Sequence, residues 1–168
     1  MNTEGMALLE AETHRALVPA FARETSEEVI NEIAPLFEAH FREIAHYPDI
    51  PLNVDYDAYL RLEARGCLRI YTIRVGLELV GYAIFAVARS MHYSGSLQAR
   101  QDVIYLDPRY RHGRLGFRFI GWCDTQLKAE GVQVVFQHVK AAHNFGPMLE
   151  RLGYELIDYM YGRRLDGH

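Results

Sequence analysis

The densest chemistry in this 168-residue chain lies between Leu106 and Gly116. There Leu106-Asp107-Pro108 is followed by Arg109-Tyr110-Arg111-His112-Gly113-Arg114-Leu115-Gly116. Arg109, Arg111, Arg114 and Arg118 crowd four cations into one short stretch of a chain whose formal net charge is −4. A β-rich run ends at Asp107-Pro108, a basic glycine-bearing turn follows, and an apolar-striped helical pattern begins. Such a junction offers an anion free backbone N–H groups and the positive end of a helix dipole. Gly113 and Gly116 remove side chains where a phosphate must approach closely. The chemistry indicated is binding of a small phosphorylated molecule. A plain β-to-α turn with solvated arginines has the same local pattern, and the segment alone does not separate the two.

Other chemistries are poorly supplied. The eight histidines show no HxxxH or HExxH spacing on a helix, so no metal site is expected. Cys67 and Cys123 are far apart and belong to no CxxC pair, which predicts two buried thiols in a reducing cytoplasm rather than zinc or disulfide chemistry. The acidic balance argues against general nucleic-acid binding. No run is apolar enough to span a bilayer, and Met1–Glu12, with three glutamates and no basic start, does not read as a signal peptide. A cytoplasmic protein is expected, and monomer and homodimer are both left open.

Length and composition (49% hydrophobic, 24% charged) fit one domain over residues 1–168, with residues 1–24 weakly patterned. Ala16 to Ala22 reads as a first strand, confined to an edge by Pro19. Thr25-Ser26-Glu27-Glu28 starts a helix, and Val29, Ile33, Leu36, Phe37, Phe41 and Ile44 form its apolar stripe, which Pro35 should kink or split. Asp55 to Arg65 is a second helix closed by Gly66. Cys67–Val75 and Glu78–Arg89 make an antiparallel hairpin, and Asp102–Leu106 is a third strand. A helix over Arg114–Glu130 follows, then Val132–Val139 as a central strand buried on both faces. A short helix spans Asn144–Leu152, and Tyr154–Leu165 supplies one or two final strands. The sum is an α/β chain with a mixed sheet between helices: two helices, a hairpin, then β-α-β-α-β.

In this order the chain resembles the GNAT superfamily of acyl-CoA N-acyltransferases over roughly residues 25 to 165. Arg111 and Gly116 fall on the first and last positions of the family's R/Q-x-x-G-x-G/A loop, although Arg114 occupies the middle glycine and Gly113 precedes it. Leu79-Val80-Gly81 resembles its hairpin, and Asn144 with Met148-Leu149-Glu150-Arg151-Leu152-Gly153-Tyr154 resembles its closing "N … L-Y-E-K-L-G-F". The His92-Tyr93 hairpin end and the loop variant look most like members encoded by bacteriophages and prophages.

The resemblance implies a CoA pantetheine lying between splayed third and fourth strands, paired with the backbone of Ile104, Tyr105 and Leu106. It implies an oxyanion donor among those N–H groups. His112, Gly113, Arg114, Leu115 and Gly116 would hold the pyrophosphate by their N–H groups, with help from the Arg111 and Arg114 side chains. Asn144 and Phe145 would lie along the cofactor. Acetyl-CoA would be the co-substrate and an amine the acceptor, with Asp102 as base, directly or through water. The acceptor pocket would draw on His40, Glu43, His46, Tyr47, His92 and Tyr93. The family's thiolate-protonating tyrosine falls on Leu149, leaving Tyr154, Tyr159 or water for that task. The same fold also accommodates a silent CoA-binding domain or an interaction protein.

Overall fold

The computed structural model describes residues 18–166. Five strands run in the order β1-β2-β3-β4-β5: Pro19–Glu24, Leu68–Val75, Glu78–Arg89, Leu97–Leu106 and Val134–Phe136. The first four pair antiparallel; β4 and β5 are parallel. Helices α1 (Ser26–Ile44) and α2 (Tyr56–Ala64) cover one face, and α3 (Leu115–Ala129) the other. A short α4, Gly146–Glu150, follows β5. This is the expected mixed sheet between helices.

Helix α1 begins in a capping box. Thr25 Oγ1 accepts from the Glu28 N–H, and the Glu28 carboxylate accepts from the Thr25 N–H. The helix then runs unbroken through Pro35. Pro35 is on the solvent side, where the Asn31 carbonyl it orphans can bond to water, while Val29, Ile33, Phe37 and His40 stay buried on the sheet. Asp55 caps α2 through the Ala58 N–H, and Gly66, at φ 70°, ends that turn.

Six expectations change. The first strand occupies Pro19–Glu24, at an edge as foreseen; Ala16 and Leu17 lie outside the described residues. Strand β4 starts at Leu97, five residues earlier than expected. A bulge hides its pattern: Val103 pairs with Ile84 and Gln101 with Phe85, leaving Asp102 unpaired between them. Leu97 and Ala99 therefore face α3, as do Ile104 and Leu106, so the inward parity flips at the bulge. The strand expected over Val132–Val139 shrinks to Val134–Phe136 at the sheet edge, with Val134 38% exposed. Tyr154–Leu165 forms no strand at all. The helix expected over Asn144–Leu152 keeps only its middle, because the Asn144 side chain accepts the Gly146 N–H and sets the helix start beside Pro147. Cys123 is buried, but Cys67 is only half-buried.

Candidate cofactor slot and active site

Strands β4 and β5 pair only over Gln98–Val134, Ala99–Val135 and Arg100–Phe136, and then part. The buried side chain of Gln101 sits at the fork, its Oε1 accepting the His138 N–H at 2.8 Å. A side chain thus replaces the next backbone rung and holds the strands apart. Nothing in the sequence marks this role, because β4 already carries Gln98, Arg100 and Asp102 beside Gln101.

Beyond the fork, one edge of β4 is open. The Asp107 N–H donates to Val80 C=O, so residue 107 points toward β3. By the alternation of an antiparallel ladder, Tyr105 also bonds toward β3, opposite Tyr82, while Ile104 and Leu106 turn their N–H and C=O groups toward the parted β5 side. Of the three expected backbone partners, Ile104 and Leu106 thus face the slot. Tyr105 does not: its backbone belongs to the ladder and its ring packs under α1 against His40 and Tyr82.

The slot leads to the basic turn. Asp107 Oδ1 accepts from the Arg109 N–H, fixing a single 3-10 turn over Pro108–Tyr110. Gly113 then reverses the chain at φ 78°, a left-handed conformation that side chains other than glycine rarely adopt. The N–H groups of His112, Gly113, Arg114, Leu115, Gly116 and Phe117 have no acceptor among the described residues. They form the positive end of α3 and could cradle a diphosphate. A Cβ built on Gly116 would meet only Leu106 Cδ2, at an ordinary 3.8 Å. Packing therefore does not demand this glycine, which leaves space above the helix end as the reason for it.

The four arginines are not equivalent. Arg109 is bound by Asp107 and Glu78, and the Arg109 guanidinium holds the Asp107 carboxyl below its ordinary range. Arg111 is forked onto Glu43 of α1, with both N–O distances 2.6 Å, and its Nε donates to Leu106 C=O at 2.7 Å. Its bond depresses the Glu43 carboxyl. Arg114 and Arg118 form no ion pair among the described residues and lie over the rings of Phe117 and Phe21. Of the two, Arg114 occupies the cap position at the start of α3 beside the cradle, Arg118 leans toward Phe21 of β1, and Arg111 locks α1 to the turn.

Asp102 projects from the bulge toward α2, where Tyr59 Oη donates to its Oδ2 at 2.9 Å. Burial and the Asp102 charge raise the Tyr59 phenol's pKa, so it stays protonated and keeps donating. Asp102 is exposed, and its other oxygen meets no donor among the described residues. A carboxylate held by one donor and open on the other side can take a proton.

The remaining expected residues scatter. His40 is 8% exposed, bonded through Nδ1 to Tyr82 Oη at 3.2 Å; burial lowers its pKa to about 4, against the pull of Glu43 and with the push of Arg111 and Lys140. It is a core residue, not pocket lining. Glu43 sits one turn on but is spent on Arg111. His92 and Tyr93 lie at the far end of the β3–β4 hairpin, roughly 25 Å away at about 3.3 Å per strand residue, so they do not join His40 and Glu43. His92 instead helps line a cavity of ≈ 330 Å³ with Arg89 and Arg100. Tyr47 packs with His46 and beneath Arg164. Phe145 is half-buried before α4, beside exposed Asn144. Leu149 is buried, and Tyr154 donates to Asp124 Oδ1 at 2.6 Å while accepting from Gln137. Burial, then Asp124, raises the Tyr154 phenol's pKa. Tyr159 is 76% exposed.

No family model matches the chain, and no curated protein matches it by sequence. Solved structures do match. A ribosomal-protein-alanine N-acetyltransferase from Brucella melitensis biovar Abortus 2308 superposes with a TM-score of 0.66 at 16% identity, covering 89% of this chain and 100% of that one. A predicted acetyltransferase with acetyl-CoA from Clostridium acetobutylicum gives 0.66 at 10% identity, covering 88% and 97%. A transcriptional regulator from Bacillus halodurans C-125 gives 0.66 at 17%, covering 88% and 100%. The expectation of a bacteriophage-type member finds no support among them. Helices on both faces of a mixed sheet, strands that part beyond Gln101 and superposition over 88–89% of the chain at very low identity establish one thing: this chain has the GNAT acetyltransferase fold.

Proposed function

We propose that the protein is an N-acetyltransferase that binds acetyl-CoA in the β4–β5 slot and transfers the acetyl group directly to a primary amine. One observation carries this reading: the Ile104 backbone and the Leu106 N–H, which face the parted β5 side, lead to the N–H groups from His112 to Phe117, which have no acceptor among the described residues. An extended amide-bearing arm ending in a diphosphate matches both halves. In the reaction, the amine nitrogen bonds to the thioester carbon, giving a tetrahedral intermediate, and the C–S bond then breaks. The Ile104 N–H, facing the slot beside the bulge, is the candidate oxyanion donor. Asp102 takes the amine proton, directly or through water, with Tyr59 holding it in place. Water protonates the thiolate, since Leu149 carries no proton and the Tyr154 hydroxyl is committed to Asp124. Two free cysteines fit a cytoplasmic site of action.

A silent CoA-binding domain is the second reading, favoured by Leu149 and by the locking of Arg111 onto Glu43. Two measurements separate them. Thermal shift with CoA reports binding, because a ligand specific to the native state raises stability. Thiol release from acetyl-CoA with a panel of amines reports transfer. Gly116→Leu should abolish the shift without lowering the unliganded melting point. An unchanged shift in that variant would remove the cradle from the site.

A further inference from the structure

Between Leu79 and Gln101 the chain contains no acid, and none stands between Gly131 and Leu149 either, although the whole sequence carries a formal net charge of −4. These stretches form the β3–β4 hairpin and β5 with the segment after it. The cavity of ≈ 330 Å³ at the hairpin end is lined by Ala86, Ala88, Arg89, His92, Gln98 and Arg100, with Ser90 and Met91. Ala86 lies opposite Arg100 and Ala88 opposite Gln98, so small side chains make the floor and polar ones the wall. Neither arginine meets a carboxylate among the described residues. Arg100 rests over the Phe136 ring of β5, 4.3 Å from its centre. Arg89 donates through one nitrogen to the Ser94 and Gly95 carbonyls, at 3.3 and 3.4 Å. Neutral groups therefore position both guanidiniums, and their remaining N–H donors are available to an anion.

The floor of this cavity lies on the face that carries Asp102. Leu97 and Ala99 face α3, so Gln98 and Arg100 point to the α1–α2 side, where Asp102 is bonded by Tyr59. Arg100 precedes Asp102 by two residues, about 7 Å at ~3.3 Å per strand residue. The N–H cradle belongs to α3 on the other face, so an acyl donor seated there leaves the α1–α2 side to the acceptor. We infer that the acceptor is an acidic amine, whose carboxylate or phosphate sits between Arg89 and Arg100 while its nitrogen reaches Asp102. This rests on the acyl-transfer reading and names its substrate class. The nitrogen bonds to the acetyl carbon and loses a proton to Asp102, and CoA leaves as a thiolate that water protonates. The planar fork of a guanidinium matches the paired oxygens of either anion. An acceptor with a second cation would instead meet two like charges and no cavity acid, which selects against it.

The experiment follows thiol release from acetyl-CoA with two matched pairs of amines, β-alanine against propylamine and O-phosphoethanolamine against ethanolamine, and with diaminobutane. In at least one pair kcat/KM should favour the acidic member about ten-fold or more, and the pair that does so tells carboxylate from phosphate. Arg100→Gln and Arg89→Gln should each lower kcat/KM for that amine by about 10–100-fold, chiefly through KM, and Arg100→Lys should restore part of the loss. Ala88→Glu sets a carboxylate on the floor and should turn the preference toward diaminobutane. All three positions are exposed, so melting points and the shift with CoA should match the wild type. Transfer to the neutral amines as fast as to the acidic ones would overturn this inference and leave acyl transfer standing. Arginine variants that keep the acidic preference would do the same. No thiol release with any of the amines would overturn the acyl-transfer reading, and this inference with it.

Discussion

If CoA uses Arg111, binding must first break a contact that the protein makes with itself. The Arg111 guanidinium is forked onto Glu43, and its Nε covers Leu106 C=O, one of the backbone groups that faces the slot. The pair is partly screened, its side chains being 39% and 25% exposed. Fully exposed ion pairs contribute up to about 1 kcal/mol, and hydrogen bonds to charged groups about 1.5–3 kcal/mol. A half-buried fork falls between, at about 1–2 kcal/mol. Glu43→Gln removes the charge while keeping the shape, so CoA affinity should rise about 5–30-fold, as 1.4 kcal/mol corresponds to ten-fold. Titration calorimetry with CoA measures this directly. Arg111→Gln should weaken binding, and adding Glu43→Gln to it should bring no further gain, because the two act as one unit. Equal or weaker CoA binding by Glu43→Gln would refute the reasoning. So would a gain that persists without Arg111, since the carboxylate would then be acting by long-range repulsion alone.

Asp102→Asn should lower turnover by about 10²–10⁴-fold with CoA affinity retained, and Tyr59→Phe should lower it less, both read from initial rates and calorimetry. His40 makes stability depend on pH. The unfolded chain protonates it near 6.5 and the folded chain only near about 4, so unfolding takes up a proton between those values. Stability should fall by at most about 3 kcal/mol as pH drops through that window, and His40→Gln should flatten the fall in urea titrations. Gly81→Ala should cost roughly 1–3 kcal/mol in the same assay, because its Cβ would sit 2.8 Å from Tyr105 C=O, a backbone atom that cannot yield without moving β4.

Sequence legibility followed the range of the forces involved. The capping box of α1, the Gly66 stop, the β2–β3 hairpin and the strand–turn–helix junction at Gly113 depend on neighbours in the chain, and all were readable. The bulge at Asp102 was not: one extra residue flips the inward parity of β4, so Leu97 to Leu106 shows no single alternation. The fork depends on Gln101 reaching His138, and the Asp102–Tyr59 bond joins two elements far apart in the chain. Side-chain commitments of that kind leave no periodic trace. The four arginines looked alike in sequence because charge count does not reveal partners; Glu43 and Glu78 neutralise Arg111 and Arg109 from other elements. Tyr154–Leu165 has strand composition without a strand, because composition alone does not supply a neighbour for the backbone to pair with.

The displaced glycine of the basic turn has a physical account in the same terms. The turn into α3 needs one left-handed residue, and Gly113 supplies it at φ 78°. Arg114 then adopts φ −112°, which any side chain tolerates, and its guanidinium leans over Phe117, 5.4 Å from the ring centre. A side chain at this position therefore does not cover the N–H groups by backbone necessity, and none of those from His112 to Phe117 has an acceptor among the described residues. What such a cradle requires is the direction of its N–H groups, and the backbone sets that through Gly113. The exchange also adds a cation free of ion pairs at the cradle's rim, which matters because Arg111 is already engaged. On the proposed cofactor reading, Arg114 rather than Arg111 would be the first charge an incoming diphosphate meets, and Arg111 would follow only after Glu43 lets go.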